Sequence, residues 1–317
     1  MKKKLKHILF LSVLTVFFPV MSVSSHAMAG NRIILSSVFP VYQIVRNITE
    51  GSACIEVRLM LPSVLGCPHD YVITPGDINE IRHADIIVVN GLGLDDFILD
   101  TVKKIRPDVA VIDCSENAGS LISADSRHNH DHSEHSRHNT HNTTYNPHTF
   151  VSPGMAGKTA LNIAVALAAE IPSEESLFTS NGEKYKKKMD TLAEMMTDSG
   201  KHILNRRIVV QHDIFDYMAR DMGLVITGVI QDHPGQDPSP AQTIRLVKKI
   251  KEENAGAILT EPQYPAKLGQ MIAKETNIPV IEIDPVAGGP DNAGLDYFET
   301  VMNRNIKIIM EALGEKQ

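Results

Sequence analysis

Apolar and polar positions along the chain switch between two periods, and the switches mark out short elements. Arg32-Ile33-Ile34-Leu35-Ser36-Ser37-Val38-Phe39-Pro40 predicts a first strand. Val41, Ile44, Val45 and Ile48 then recur at helical spacing. Val57, Leu59 and Leu61 alternate with polar or long side chains, which predicts a strand over 55–61. A loop over 62–71 carries Cys67, Pro68, His69 and Asp70. Thr74 and Asp77 are candidate caps for a short helix reaching His83. A strand over 85–90, a helix over 95–105 and a strand over 109–112 follow, the last running into Asp113-Cys114.

After a polar tract the helical period returns over 156–171, stopped by Pro172. Ser173-Glu174-Glu175 opens a further helix, with Tyr185, Met189, Leu192 and Met196 on one face and Gly200 as its expected end. Polar residues fill the gaps, so this long helix is half exposed and placed to join two lobes. A second series then alternates. Strands are expected at 208–211, 224–230, 257–260 and 279–283, with helices at 215–222, 241–253, 266–276 and 295–313. Alternation in both halves predicts an α/β protein of two lobes, each a parallel sheet flanked by helices. The divisions expected are an N-terminal lobe over 30–172, a linking helix over 173–202 and a C-terminal lobe over 203–317.

The N-terminus changes the cellular setting. Lys2, Lys3, Lys4 and Lys6 precede an apolar run from Ile8 to Met21, and Ala27-Met28-Ala29 is an A-x-A cleavage pattern. Residues 1–29 therefore read as a cleaved secretory signal peptide and the mature chain as periplasmic. A retained anchor needs about 20 apolar residues; this run is shorter and is broken by Pro19. No cysteine lies at the cleavage point, which argues against a lipid-anchored form. Cleavage takes the formal charge from −7 to −11 and leaves 288 residues, enough for two lobes. So acidic a chain suits cations and is a poor partner for nucleic acid or anionic membrane. No other segment is long and apolar enough to span a bilayer. Cys54, Cys67 and Cys114 are odd in number, so at least one is unpaired within the chain; Cys54–Cys67 and Cys67–Cys114 both remain open as bridges.

Histidine carries the candidate chemistry. Residues 127–144 hold His128, His130, His132, His135, His138 and His141, with nothing apolar among them. Such a tract cannot offset its ordering entropy and reads as a surface loop for loose, exchangeable metal capture. Tyr145-Asn146-Pro147-His148-Thr149-Phe150 is different, because one histidine sits there in an ordered, proline-flanked stretch. Ligands of open parallel sheets collect outside the carboxyl ends of strands. His69, His148, His212 and Asp284 all fall at such places, two from each half. Three imidazoles and a carboxylate match a tetrahedral zinc site. Glu261 ends a strand too and is a rival carboxylate, and Cys67 is a candidate soft ligand. Asp284 also has the simpler reading of a turn cap before Pro285. His83 and His202 at helix ends, and His233 in a loop, read as ordinary surface residues. Three histidines with an open position also describe catalytic zinc, but no H-E-x-x-H helix is present and only Asp70 and Asp213 stand as candidate bases.

Together these segments resemble a family. Cys67-Pro68-His69-Asp70-Tyr71, Asn90-Gly91, Asn146-Pro147-His148-Thr149-Phe150, His212-Asp213-Ile214-Phe215-Asp216-Tyr217, Asp237-Pro238-Ser239-Pro240, Thr260-Glu261-Pro262-Gln263 and Ile283-Asp284-Pro285 look like the signatures of the periplasmic solute-binding proteins of zinc/manganese ABC transporters. The resemblance implies two α/β lobes joined by one long rigid helix, with the metal in the cleft between them. It implies a binding protein, not an enzyme, with His69, His148, His212 and Asp284 as ligands and Zn(II) as the transported ligand. Zinc-type members carry a histidine-rich loop in the first lobe, as here. The third ligand is commonly histidine in zinc binders and glutamate in manganese binders, so His212 favours zinc. The implied partners are an ABC permease with its ATPase, and a periplasmic zinc chaperone besides; a monomer is expected. Cys67 stands where an acidic residue or glycine is usual, Asn146 replaces a common aspartate, and Phe150 a common tryptophan. The alternatives are a manganese-binding homologue, a free-standing zinc buffer or adhesion protein, and a zinc hydrolase.

Overall fold

Two four-stranded sheets carry the chain, and both are wound in the same order. In the computed structural model, residues 31–66, 68, 71–124, 145–231 and 236–315 are described. Residues 1–29, expected to be a signal peptide, Cys67, His69, Asp70, His233 and the histidine-rich tract at 127–144 lie outside them. The first half runs β1 (Arg32–Ser36), α1 (Phe39–Thr49), β2 (Ile55–Leu59), α2 (Pro75–His83), β3 (Ile86–Val89), α3 (Asp96–Ile105) and β4 (Ala110–Asp113). Its strands are parallel in the order β2-β1-β3-β4. β3 reads Ile-Ile-Val-Val and is buried throughout, because helices cover both faces of a parallel sheet.

Two long helices follow, α4 (Pro153–Glu170) and α5 (Glu175–Lys201). The second half runs β5 (Arg207–Val210), α6 (Asp216–Met222), β6 (Val225–Val229), α7 (Pro240–Glu253), β7 (Ala257–Thr260), α8 (Lys267–Thr276), β8 (Val280–Glu282) and α9 (Tyr297–Leu313). Its parallel order is β6-β5-β7-β8. In each sheet the order of strand addition reverses beside the first strand, between β1 and β3 and between β5 and β7. Ligands of such sheets sit outside the carboxyl ends of the strands at these switch points.

The helix joining the halves is longer than its hydrophobic pattern alone suggests. α5 has 27 residues, about 40 Å at 1.5 Å per residue. It packs along α4 and α1 on one side and touches α6 and α9 of the second half. Tyr185, Met189, Leu192 and Met196 are its buried stripe. Gly200 does not end it but lies inside its last turn. A Cβ there would come within 2.2 Å of the Met222 carbonyl oxygen, so the glycine serves the close approach of α6.

Local chemistry explains the other shifted boundaries. The first strand stops at Ser36 instead of reaching Pro40, because Phe39 and Pro40 begin α1. Proline lacks an N–H that the first helical turn does not need. α4 begins at Pro153, not 156, because Ser152 Oγ accepts the Met155 N–H at 3.3 Å and caps it. At α2, Thr74 and Asp77 form a reciprocal capping box. Neither bridge that the sequence left open forms, since the Cys54 and Cys114 thiols are free. The Cys54 thiol donates to Glu174 Oε1 at 3.4 Å instead, and Cys114 is buried against the sheet. No helix among the described residues is long and apolar enough to cross a membrane.

Candidate metal centre

His212 leaves the end of β5 and Glu261 the end of β7, the two strands flanking the second switch point. That placement makes them neighbours. His212 Nδ1 lies 2.5 Å from Glu261 Oε1, and both side chains are 1% exposed. The contact is close but lacks the alignment of an ordinary N–H···O bond. Among the described residues, neither His212 nitrogen and neither Glu261 oxygen has a hydrogen-bond partner. Gln211 Oε1 steadies the Glu261 backbone by accepting its N–H at 3.3 Å. Burial pushes the Glu261 carboxyl up from its ordinary value; contact with His212 opposes this, and the nearby Asp213 and Asp284 charges add to it.

His148 arrives from the other half. Behind it stands Asp95, a fully buried carboxylate at the first switch point. It accepts from Ser37 Oγ at 2.6 Å, from the Asn90 N–H at 2.6 Å and from the Gly91 N–H at 3.0 Å. Desolvation raises its pKa, and these three donors hold it down. The hub fixes the loop after β3, and Asn90 Nδ2 then donates to the Pro147 carbonyl at 3.1 Å. His148 is thereby pinned to the first sheet with no exposed surface. Its ring meets that of His212 edge-on at 5.5 Å between centroids. Phe150 backs His148 at 5.9 Å, and Tyr264 backs His212 at 5.8 Å.

Among the described residues, the fold brings together two of the expected ligands, His148 and His212. His148, His212 and Asp213 each present a ligand atom within 4.8 Å of the others. Asp213 was foreseen only as a candidate base. Its carboxylate is 43% exposed, with Oδ1 3.7 Å from His148 Nδ1. Asp284 follows β8 and is buried, but it stands outside that group among the described residues. Its Oδ1 accepts the Val286 N–H at 2.8 Å, so it does act as a turn cap. Its Oδ2 faces the Tyr297 hydroxyl at 3.4 Å and Arg304 Nη2 at 3.5 Å. Burial raises the Asp284 pKa, while Val286, Arg304 and Tyr297 restrain it. Val286 has φ +61°, costly for a β-branched residue. His69 and the six loop histidines lie outside the described residues. His83 is exposed, with Nδ1 2.8 Å from the Asn79 carbonyl oxygen, and His202 merely caps α5.

A cation fits this donor set. Four under-satisfied nitrogen and oxygen atoms in a buried space are costly without a ligand. Borderline imidazole and hard carboxylate donors together suit a divalent first-row metal.

The sequence is similar to the high-affinity zinc uptake system protein ZnuA of Bacillus subtilis (strain 168), 26% identical over 284 residues that cover 88% of this chain and 87% of that one. It is also similar to the zinc-binding protein AdcA of Streptococcus pyogenes serotype M3, 28% identical over 98% of this chain. The chain spans only 61% of AdcA's length. The solved structure of the solute-binding protein FpvC of Pseudomonas aeruginosa in complex with Mn2+ superposes with a TM-score of 0.75 at 25% identity, covering 89% of this chain and 98% of that one. The family model described as zinc-uptake complex component A, periplasmic (ZnuA) matches residues 34–312, and the chain belongs to that family.

Proposed function

We propose that this protein captures Zn(II) outside the cytoplasmic membrane and hands it to an ABC permease and its ATPase for import. The observation that carries the reading is the pair of buried imidazoles, one from each half, whose rings meet at 5.5 Å beside under-satisfied carboxylate oxygens. Residues on both sides of one crevice can grip a cation when the halves close and release it when they part. The proposed ligands are His69, His148, His212 and Asp284. Glu261 and Asp213 stand close enough to His212 and His148 to orient them or share the charge. Imidazole nitrogen favours zinc over manganese more than carboxylate oxygen does, so His212 tips the site toward zinc. The reading of residues 1–29 as a cleaved signal peptide supports periplasmic localisation, and the proposed lobes divide at 172 and 202.

The mechanism is binding without bond-making. His148 and His212 donate neutral nitrogens to the cargo, so binding weakens as they protonate. The histidine-rich loop collects zinc weakly and passes it inward. Metal analysis of the purified mature chain, followed by competition titration of the metal-free form with zinc and manganese, tests the reading. One tight zinc equivalent plus several weak ones is expected. Tight manganese with indifferent zinc would overturn it.

A further inference from the structure

Asn146 occupies an unusual place. It is 1% exposed, and each of its polar atoms is engaged. Its backbone N–H donates to the Ile122 carbonyl at 2.8 Å. Its own carbonyl accepts the Tyr217 hydroxyl at 2.8 Å, and that hydroxyl accepts the Ile122 N–H at 3.1 Å. Its side-chain Nδ2 donates to the Asp213 carbonyl at 2.8 Å and to Asp216 Oδ2 at 3.0 Å. Its Oδ1 accepts the His148 N–H at 2.9 Å and lies 2.8 Å from His148 Nδ1.

These partners settle the orientation of the amide. A carbonyl and a carboxylate only accept, so the atom facing them must be the NH2 group. The other atom is then the oxygen, which already receives a backbone N–H. An oxygen cannot donate, so His148 Nδ1 must carry the proton. The ring's acceptor lone pair therefore resides on Nε2. In the tautomer with its proton on Nε2, a lone pair on Nδ1 would face the amide oxygen at 2.8 Å, which is repulsive.

We infer that Asn146 is a positioning residue: its amide oxygen locks His148 in the Nδ1–H tautomer with Nε2 as the metal-binding atom, and its NH2 group ties that lock to the second half. Both hydrogens of the NH2 go to the segment that follows His212, while the oxygen holds the ligand of the first half. One neutral side chain thus sets the chemistry of one imidazole and its register against the other. An aspartate here would keep the acceptor but lose both donors, and would meet the Asp216 carboxylate across 3.0 Å. The amide therefore does what a carboxylate could not in this chain.

The inference rests on the reading of His148 as a ligand, but its central statement concerns the metal-free protein and is read there. Nitrogen-15 spectra of imidazole-labelled, zinc-free protein report which ring nitrogen of His148 is protonated. The Nδ1–H form is expected in the wild type. Asn146→Asp should keep that form yet melt at a lower temperature, because the tie to the second half is gone. Asn146→Ala should lose the tautomer preference and also bind zinc about 10–100-fold more weakly, the usual loss for a partner behind a ligating histidine. An Nε2–H form in the wild type would overturn the inference without any variant. So would an unchanged His148 tautomer in Asn146→Ala. A failed zinc titration alongside the expected tautomers would instead strike the proposed function.

Discussion

The two buried imidazoles, one from each half, are held in opposite ways. His148 leans on a neutral amide whose every polar atom is satisfied. His212 leans on a buried carboxylate, and neither partner is fully satisfied. The first support is complete without a ligand. The second is not, since a buried anion without an aligned donor is costly and its pKa rises in response. The lesson concerns division of labour. One half of the centre is preorganised, and the other stores an electrostatic demand that a cation would relieve.

Removing a ring should break the comparison most severely. His148→Ala and His212→Ala should each weaken zinc binding by more than the ~100-fold upper range for outer-sphere partners. His83→Ala, at an exposed helix end, should leave it unchanged. Equal effects in all three by competition titration would dismantle the site.

Glu261→Gln sharpens the contrast. It keeps the shape of the side chain but removes the charge behind His212. Zinc affinity should fall about 10–100-fold, while the metal-free protein should gain stability. The pH dependence gives the sign. A carboxyl with a raised folded pKa binds more protons in the native state than in the unfolded one, so stability falls as pH climbs from the ordinary value of 4.5 toward the raised one. Melting curves of the metal-free wild type should show that fall in this window, and Glu261→Gln should flatten it. Asp95 and Asp284 are shifted the same way and leave a residual slope. A slope identical in both proteins would remove Glu261 as its source.

The smallest effect is expected at the buttress of the amide. Tyr217→Phe removes the hydroxyl between Ile122 and Asn146 and leaves the half-buried Ile122 N–H without its acceptor. A loss of about 1–3 kcal/mol in unfolding free energy should follow, with zinc affinity nearly unchanged. A large affinity loss would mean that the preorganised half is softer than its geometry implies.

Much of this was legible in the chain. Alternation of apolar strands and amphipathic helices gave two parallel α/β halves, because side-chain period is a local property of backbone geometry. The turn chemistry of Thr74 and Asp77 was equally local. His148 and His212 stood out because each follows a strand or an ordered, proline-flanked segment. Boundaries misread in the sequence were those where proline or glycine has two uses. Pro40 starts a helix instead of ending a strand, and Gly200 admits a neighbouring helix instead of terminating its own.

What the tertiary structure alone decided were the meetings between residues far apart in the chain. Residues 146 and 216 are remote in sequence, as are 212 and 261. Strand order, not residue type, makes 212 and 261 touch, because β5 and β7 are neighbours in one sheet; the packing of one half on the other brings 146 to 216. Asn146 could be read in sequence only as a departure from a common aspartate. Its role depends on a carbonyl and a carboxylate from the other half, which fix the direction of the amide and through it the proton on His148. The sequence by itself determined which groups this protein has to offer a metal; the packing of the halves decided which of them face one another, and with what support.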